Sequence, residues 1–139
     1  MNNIECHGEN DGAINTQVVG GIGSYSYLWG DGETTSDLSG LGAGEYCLTV
    51  TYANGCTANR CFTITEPQLL SIDADVDNIV CGGANSGSID LTVTGGTPGY
   101  TYSWNPILPA TPDHNNLGAG TYCVTVTDIN NCSAERCFT

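Results

Sequence analysis

The sequence predicts an all-β protein built as two tandem β-sandwich repeats, and three observations predict it. Four cysteines, Cys6, Cys47, Cys56 and Cys61, are followed in the same frame by Cys81, Cys123, Cys132 and Cys137, the mark of tandem modules. The text between them recurs as well: C-x-G-x-N-x-G-x-I, G-G, Y-x-Y-x-W, L-G-A-G-x-Y-C-x-T-V-T and A-x-R-C-F-T stand in both copies. Helix signals are nearly missing, while 19 glycines punctuate short alternating runs rich in Thr, Val and Tyr. The repeats divide at Glu66-Pro67, into residues 1–66 and 67–139.

Taken in order, Ile14, Thr16 and Val18 share one face of a strand, as do Ile89, Leu91 and Val93 in the second copy. Gly20-Gly21 and Gly95-Gly96 follow as turns. Tyr25, Tyr27 and Trp29, matched by Tyr100, Tyr102 and Trp104, are spaced by two and so line one strand face. Each small unit needs that aromatic volume in its core, which outweighs reading the ladder as a sugar-stacking surface. Glu45–Tyr52 and Cys56–Ile64 flank Ala53-Asn54-Gly55, a hairpin turn. Leu-Gly-Ala-Gly-x-Tyr, at Leu41–Tyr46 and Leu117–Tyr122, reads as the tyrosine corner of immunoglobulin-like sandwiches. An inward Tyr46 takes Leu48 and Val50 inward with it and leaves Cys47 outside.

Leu69–Val76 alternates Leu70, Ile72, Ala74 and Val76 and reads as the opening strand of the second unit. Only Met1–Glu5 stand before the first cysteine, so the first unit is expected to lack that strand. The second unit is expected to have its final strand cut short at Thr139. The chain therefore reads as a window of a longer array, or as a subunit whose edges its neighbours complete. Identical subunits or neighbouring repeats stacked end to end are the expected partners, because unpaired sheet edges accept strands.

Charge narrows the function. Fifteen Asp and Glu stand against two basic residues, Arg60 and Arg136, giving a formal net charge of -13 with no lysine. Nucleic acid and anionic membranes need a basic face, so neither is an expected partner, and lysine-dependent chemistry is excluded. No apolar run reaches the length of a membrane helix, so no membrane insertion is expected. No charged-plus-apolar leader precedes Cys6, so a signal peptide is expected to be absent or already removed. Units of this size have marginal cores and are commonly stapled. Disulfides are the expected use of the cysteines, since no C-x-x-C occurs and the spacing fits no zinc site.

Four cysteines allow three connectivities in each unit. Pairing about the Asn54 turn sets Cys47 opposite Cys61 and leaves Cys6 for Cys56. The same reasoning gives Cys123–Cys137 and Cys81–Cys132, so two disulfides per unit are expected, the short one outside and the long one inside.

With these motifs in hand, the chain resembles the SprB-type repeat, found in tandem in very large surface adhesins of gliding and biofilm-forming bacteria. The likeness rests on C-x-G-x-N-D-G-A-I, G-G-x-x-x-Y-S-Y-L-W-G-D-G, L-G-A-G-E-Y-C-L-T-V-T and A-N-G-C, and it spans both units. More distantly, Trp29-Gly30-Asp31-Gly32 and Gly44-Glu45-Tyr46 resemble PKD-type immunoglobulin-like spacers; the second unit departs there with Trp104-Asn105-Pro106-Ile107. The resemblance implies an extracellular or cell-surface place and a spacer role, and it supplies no catalytic residues.

Candidate sites are few. His7 and His114 hold unrelated positions and no nucleophile–base arrangement repeats, so no enzyme activity is expected. Arg60 and Arg136 share one slot and read as interior-facing, ion-paired structural arginines. Asp73, Asp75 and Asp77 resemble the start of a calcium loop, though Asn78 stands where that loop needs glycine and Ala84 where it needs glutamate. No cofactor is required, and calcium at these three aspartates is the metal to test. The expectation is a non-catalytic structural or adhesive segment of a surface fibre, touching surface glycans or proteins through Gly30–Gly40 and Asn105–Asn116. The alternative is a carbohydrate- or protein-binding accessory module of a secreted enzyme.

Overall fold

A computed structural model describes residues 1–21 and 23–139. The chain falls into two compact units, Met1–Glu66 and Pro67–Thr139. Among the described residues it holds strands and turns, and no helix is long and apolar enough to cross a membrane.

The first unit contains β1 (Gly12–Ile14), β2 (Tyr25–Trp29), β3 (Leu38–Leu41), β4 (Gly44–Tyr52) and β5 (Thr57–Ile64). β1 pairs with β3, and β2-β4-β5 form a second sheet, all antiparallel. The second unit contains β6 (Ser71–Asp77), β7 (Gly87–Thr94), β8 (Thr101–Asn105), β9 (His114–Leu117), β10 (Tyr122–Thr127) and β11 (Ser133–Phe138). Its sheets are β6-β7-β9 and β8-β10-β11.

Each pair of sheets closes on one core. In the first unit Ile14, Leu38 and Leu41 from the small sheet meet Trp29, Leu48, Val50 and Ile64 from the large one. In the second, Ile72, Ile89, Leu91 and Leu117 meet Trp104, Val124, Val126 and Phe138. Two inner faces interdigitating in this way make a β-sandwich. Fully burying one such large apolar side chain contributes about 1.5–3 kcal/mol.

The repeated motifs place the same hydrogen bonds in both units. Tyr46 Oη donates to the Gly42 carbonyl at 3.0 Å, and Tyr122 Oη to the Gly118 carbonyl at 3.0 Å. These are tyrosine corners, and they mark both sandwiches as immunoglobulin-like. Trp29 Nε1 donates to the Thr35 carbonyl at 2.8 Å, and Trp104 Nε1 to that of Thr111 at 2.9 Å. Each buried indole thus keeps its one donor satisfied. The β4–β5 turn needs a left-handed residue, supplied by Gly55 at φ +87°. Asn131 supplies it at φ +66° in the second unit, a conformation asparagine tolerates.

The units differ at one strand. β7 runs for eight residues, whereas β1 stops after three, at Ile14. Thr16 and Val18, expected on the same strand face as Ile14, therefore lie beyond its end. The cause is pairing: β6 lies along Ser88–Thr94, and no strand lies along Asn15–Val19 among the described residues.

The disulfides need a correction. Cys47 bridges Cys61 and Cys123 bridges Cys137, each between directly opposed residues on the exposed face. The long bridges Cys6–Cys56 and Cys81–Cys132 are not formed, and Cys56 and Cys81 are exposed free thiols. Distance along the strands forbids them. Ile4 N donates to the Thr65 carbonyl and Gly8 N to Glu66 Oε2, which holds Cys6 beside the far end of β5. Cys56 immediately precedes β5, whose eight residues span about 26 Å. In the second unit Cys81 follows the Asp77 end of β6, while Cys132 lies in the turn with Asp128. Asp128 binds Thr97, next to Gly96, whose N–H reaches Gln68 at the other end of β6. A disulfide requires Cα atoms within about 7 Å.

Candidate functional sites

Four features could bind or react: the aromatic ladder, the acidic edge of the second unit, the arginine slots and the buried turn around Asp128. The ladder is consumed by packing. Trp29 and Trp104 are buried, and Tyr25, Tyr27, Tyr100 and Tyr102 are half-buried against the two cores. Tyr25 Oη donates to the Gly20 carbonyl and Tyr100 Oη to the Gly95 carbonyl, so these phenols fasten the glycine turns.

The three aspartates named for calcium have different surroundings. All are exposed on β6, but Asp73 Oδ1 pairs with Arg136 Nη1 at 3.1 Å. Asp75 and Asp77 instead line a groove of about 640 Å³ with Asp90, Asp113 and Asn115. Asp113, hydrogen-bonded to Asp90 and repelling its charge, raises the Asp90 carboxyl above its ordinary value of 3.8; burial and Asp75 add to the rise. Asp90 and Asp113 are far apart in sequence, and the β7–β9 register, Ile89 opposite His114, brings them together. Only the alternation of β7 and β9 could have signalled that meeting.

Glu45 with Cys47 and Cys61, and Glu135 with Cys123 and Cys137, also cluster closely enough for a metal. Their sulfurs are committed to disulfides and offer no thiolates.

Arg60 and Arg136 sit at equivalent positions, Arg60 paired with Leu48 and Arg136 with Val124 in register. Each guanidinium lies over a ring, Arg60 at 5.3 Å from the Phe62 centroid and Arg136 at 5.5 Å from that of Phe138. Arg136 also donates to the Ile72 carbonyl of β6. Both arginines are exposed at the sheet margin rather than enclosed.

Asp128 is the buried carboxylate of the second unit. It accepts from Thr97 N at 2.8 Å, Asn130 N at 2.9 Å and Cys132 N at 3.0 Å. The Thr97 hydrogen bond leads the causes that hold its carboxyl below 3.8, against the opposing effect of burial. The site needs Gly96, because a Cβ there would meet Asp128 Oδ2 at 2.7 Å on a backbone with φ +59°. These bonds close the β10–β11 turn, which is structural work. His114 is also buried, its ring edge-on to Trp104 at 4.8 Å, and its Nε2 has no hydrogen-bond partner among the described residues. His7 lies elsewhere, with Nδ1 3.5 Å from Glu66 Oε1.

The family model described as the SprB repeat matches residues 1–34 and 74–108, the corresponding stretch of each unit. Among solved structures, an amphioxus IgVJ-C2 molecule is similar with a TM-score of 0.42 and 13% identity, over 96% of this chain and 97% of that one. No curated protein matches the chain.

Proposed function

Because this chain carries two SprB repeats in tandem, we propose that it is a non-catalytic segment of a bacterial surface fibre or stalk, set outside the cell. SprB repeats belong to cell-surface proteins. The observation that carries the finer reading is the duplication of structural hydrogen bonds without duplication of chemistry. Both units repeat the tyrosine corner, the tethered tryptophan and a cross-strand disulfide on the outer face. The Asp90–Asp113 pair and the Asp128 turn are not repeated, since Asn15 stands at the place of Asp90 and Tyr52 at that of Asp128 in the first unit.

A scaffold repeated with only its loops varied suits extension away from a surface, with contact made at the tips. Among the described residues Ile107 is the most exposed large apolar one, and it lies in the proline-bearing loop after β8. That loop is the favoured contact with a surface protein or glycan, and stacking of neighbouring repeats end to end belongs to the same proposal. The aromatic ladder supports this reading over a sugar-binding accessory module, because its rings serve the cores.

The test is labelling of intact source cells with antibody against the chain. Labelling without permeabilisation, lost after brief external proteolysis, is the expected result. Labelling that appears only after permeabilisation would contradict the proposal.

A further inference from the structure

Asn15–Val19 and Asp90–Thr94 hold equivalent positions, yet only the second stretch is strand. In the second unit β6 covers it, antiparallel, with Ile72 opposite Val93 and Ala74 opposite Leu91. Ile72 is buried, its carbonyl accepts from Arg136, and the neighbouring Asp73 pairs with the same guanidinium at 3.1 Å. In the first unit Val18, Thr16, Arg60 and Phe62 stand at the places of Val93, Leu91, Arg136 and Phe138. Arg60 lies over Phe62 as Arg136 lies over Phe138. Among the described residues, however, no strand pairs with Asn15–Val19, and no carbonyl or carboxylate takes the Arg60 guanidinium.

The place of β6 is instead a groove of about 290 Å³ between Asn15–Val19 and the inner margin of β4 and β5. One side of the segment is already anchored: Thr16 N donates to Asp37 Oδ1 at 2.9 Å, as Leu91 N donates to Asp113 Oδ1 at 3.2 Å. The other side presents unpaired backbone, with Val19 80% exposed.

We propose that this groove is a strand-acceptor site whose occupant is an extended segment of another SprB repeat carrying the β6 pattern. Apolar side chains at alternate positions would face Val18 and Thr16, and an acid at the place of Asp73 would meet Arg60. Main-chain pairing gives such docking its affinity, and the alternate pockets give its register. The only basic residue of the unit stands where β6 brings a carbonyl and a carboxylate to Arg136, so charge selects an acidic strand in a chain that otherwise repels one. The inference rests on the geometry of the two units and stands whether or not the surface role holds.

The test titrates isotope-labelled full chain with a synthetic peptide of the Gln68–Asp77 sequence, followed by NMR. Saturable binding is expected, with shifts at Thr16, Val18 and Arg60. A peptide with Ile72→Asp is expected to bind at least about tenfold more weakly, because it puts a charge in an apolar slot. Arg60→Gln in the chain is expected to weaken the parent peptide by about threefold to tenfold. A second arm places the Gln68–Asp75 sequence directly before Met1, the register in which Asn2 opposite Ala13 matches Asp77 opposite Ser88. Slower amide exchange is expected there at Gln17 and Val19, whose N–H groups lie on the side opposite the Thr16–Asp37 bond. The proposal is overturned by no saturable binding together with unchanged exchange, or by equal binding of the Ile72→Asp peptide. It is also overturned by shifts confined to β7, meaning exchange with the resident β6, or by a dimer that buries Asn15–Val19 and refuses peptide.

Discussion

Cys47 and Cys61 are joined across directly opposed positions of β4 and β5, with Cα atoms 3.9 Å apart, and they close a loop with a sequence separation of 14. A crosslink of that length restricts the unfolded chain, and removing it with Cys47→Ala and Cys61→Ala together is expected to cost the first unit about 3 kcal/mol. Denaturant unfolding with and without the pair checks this. In single-molecule pulling, reduction is expected to lengthen each unit's unfolding step by about 45 Å, the extended length of the released loop. A step length indifferent to reductant would remove the bridge from the load path.

Cys56 and Cys81 are exposed thiols, so both are expected to alkylate rapidly in native protein without reductant. Peptide mapping under non-reducing conditions reads the result directly. Recovery of Cys6–Cys56 or Cys81–Cys132 peptides would contradict the strand geometry that separates them.

The two tyrosine corners make equivalent bonds of 3.0 Å, so Tyr46→Phe and Tyr122→Phe are each expected to cost about 1 kcal/mol. Thermal melting of the two variants should show losses of similar size. A loss in only one would mean the corners are not equivalent in solution.

His114 occupies the place that Leu38 holds in the first unit, and its buried Nε2 lacks a partner among the described residues. His114→Leu is expected to stabilise the second unit by about 1 kcal/mol by removing an unsatisfied polar group. Leu38→His is expected to destabilise the first unit. Stability that falls with His114→Leu would show that the ring's contact with Trp104 outweighs its unpaired nitrogen.

Two carboxylates give the second unit opposite pH limbs. Asp128 has its folded pKa lowered, so its stabilisation is present above the unfolded value and is lost as pH falls through the folded one. Asp128→Asn should flatten that acid limb. Asp90 has its folded pKa raised by Asp113, so its contribution is present below the unfolded value and lost as pH rises through the folded one. Asp90→Asn is therefore expected to raise the melting temperature at pH 7 and to leave it unchanged near pH 3. Equal effects at both pH values would show that the pair does not share a proton.

Much of the architecture was legible because it is local. The Asn54 turn fixes the β4–β5 register and with it the meeting of Cys47 and Cys61; the period-two aromatics fix which face of β2 and β8 is buried. The long bridges were misread because elimination pairs leftover cysteines without asking how much strand lies between them. Cys6 and Cys56 sit at opposite ends of β5, a fact visible only once Ile4 is seen bonded to Thr65. Asn15–Val19 has a strand's alternation but not its neighbour, and alternation alone does not make a ladder. The Asp90–Asp113 pair was hidden because tertiary pairing of β7 with β9, not sequence spacing, creates it.

The claim on which the rest depends is that one scaffold is built twice, with a strand in place at β6 and an open slot in the first unit. Hydrogen exchange of the full chain, resolved by residue, tests it most directly. The account predicts similar protection for the paired amides of Leu48 and Val124, with Gln17, whose N–H faces the open edge, exchanging as fast as an open loop and Thr92, opposite Asp73 of β6, slowly. Equal, slow exchange at Gln17 and Thr92 would mean that the slot is already filled and would contradict the account.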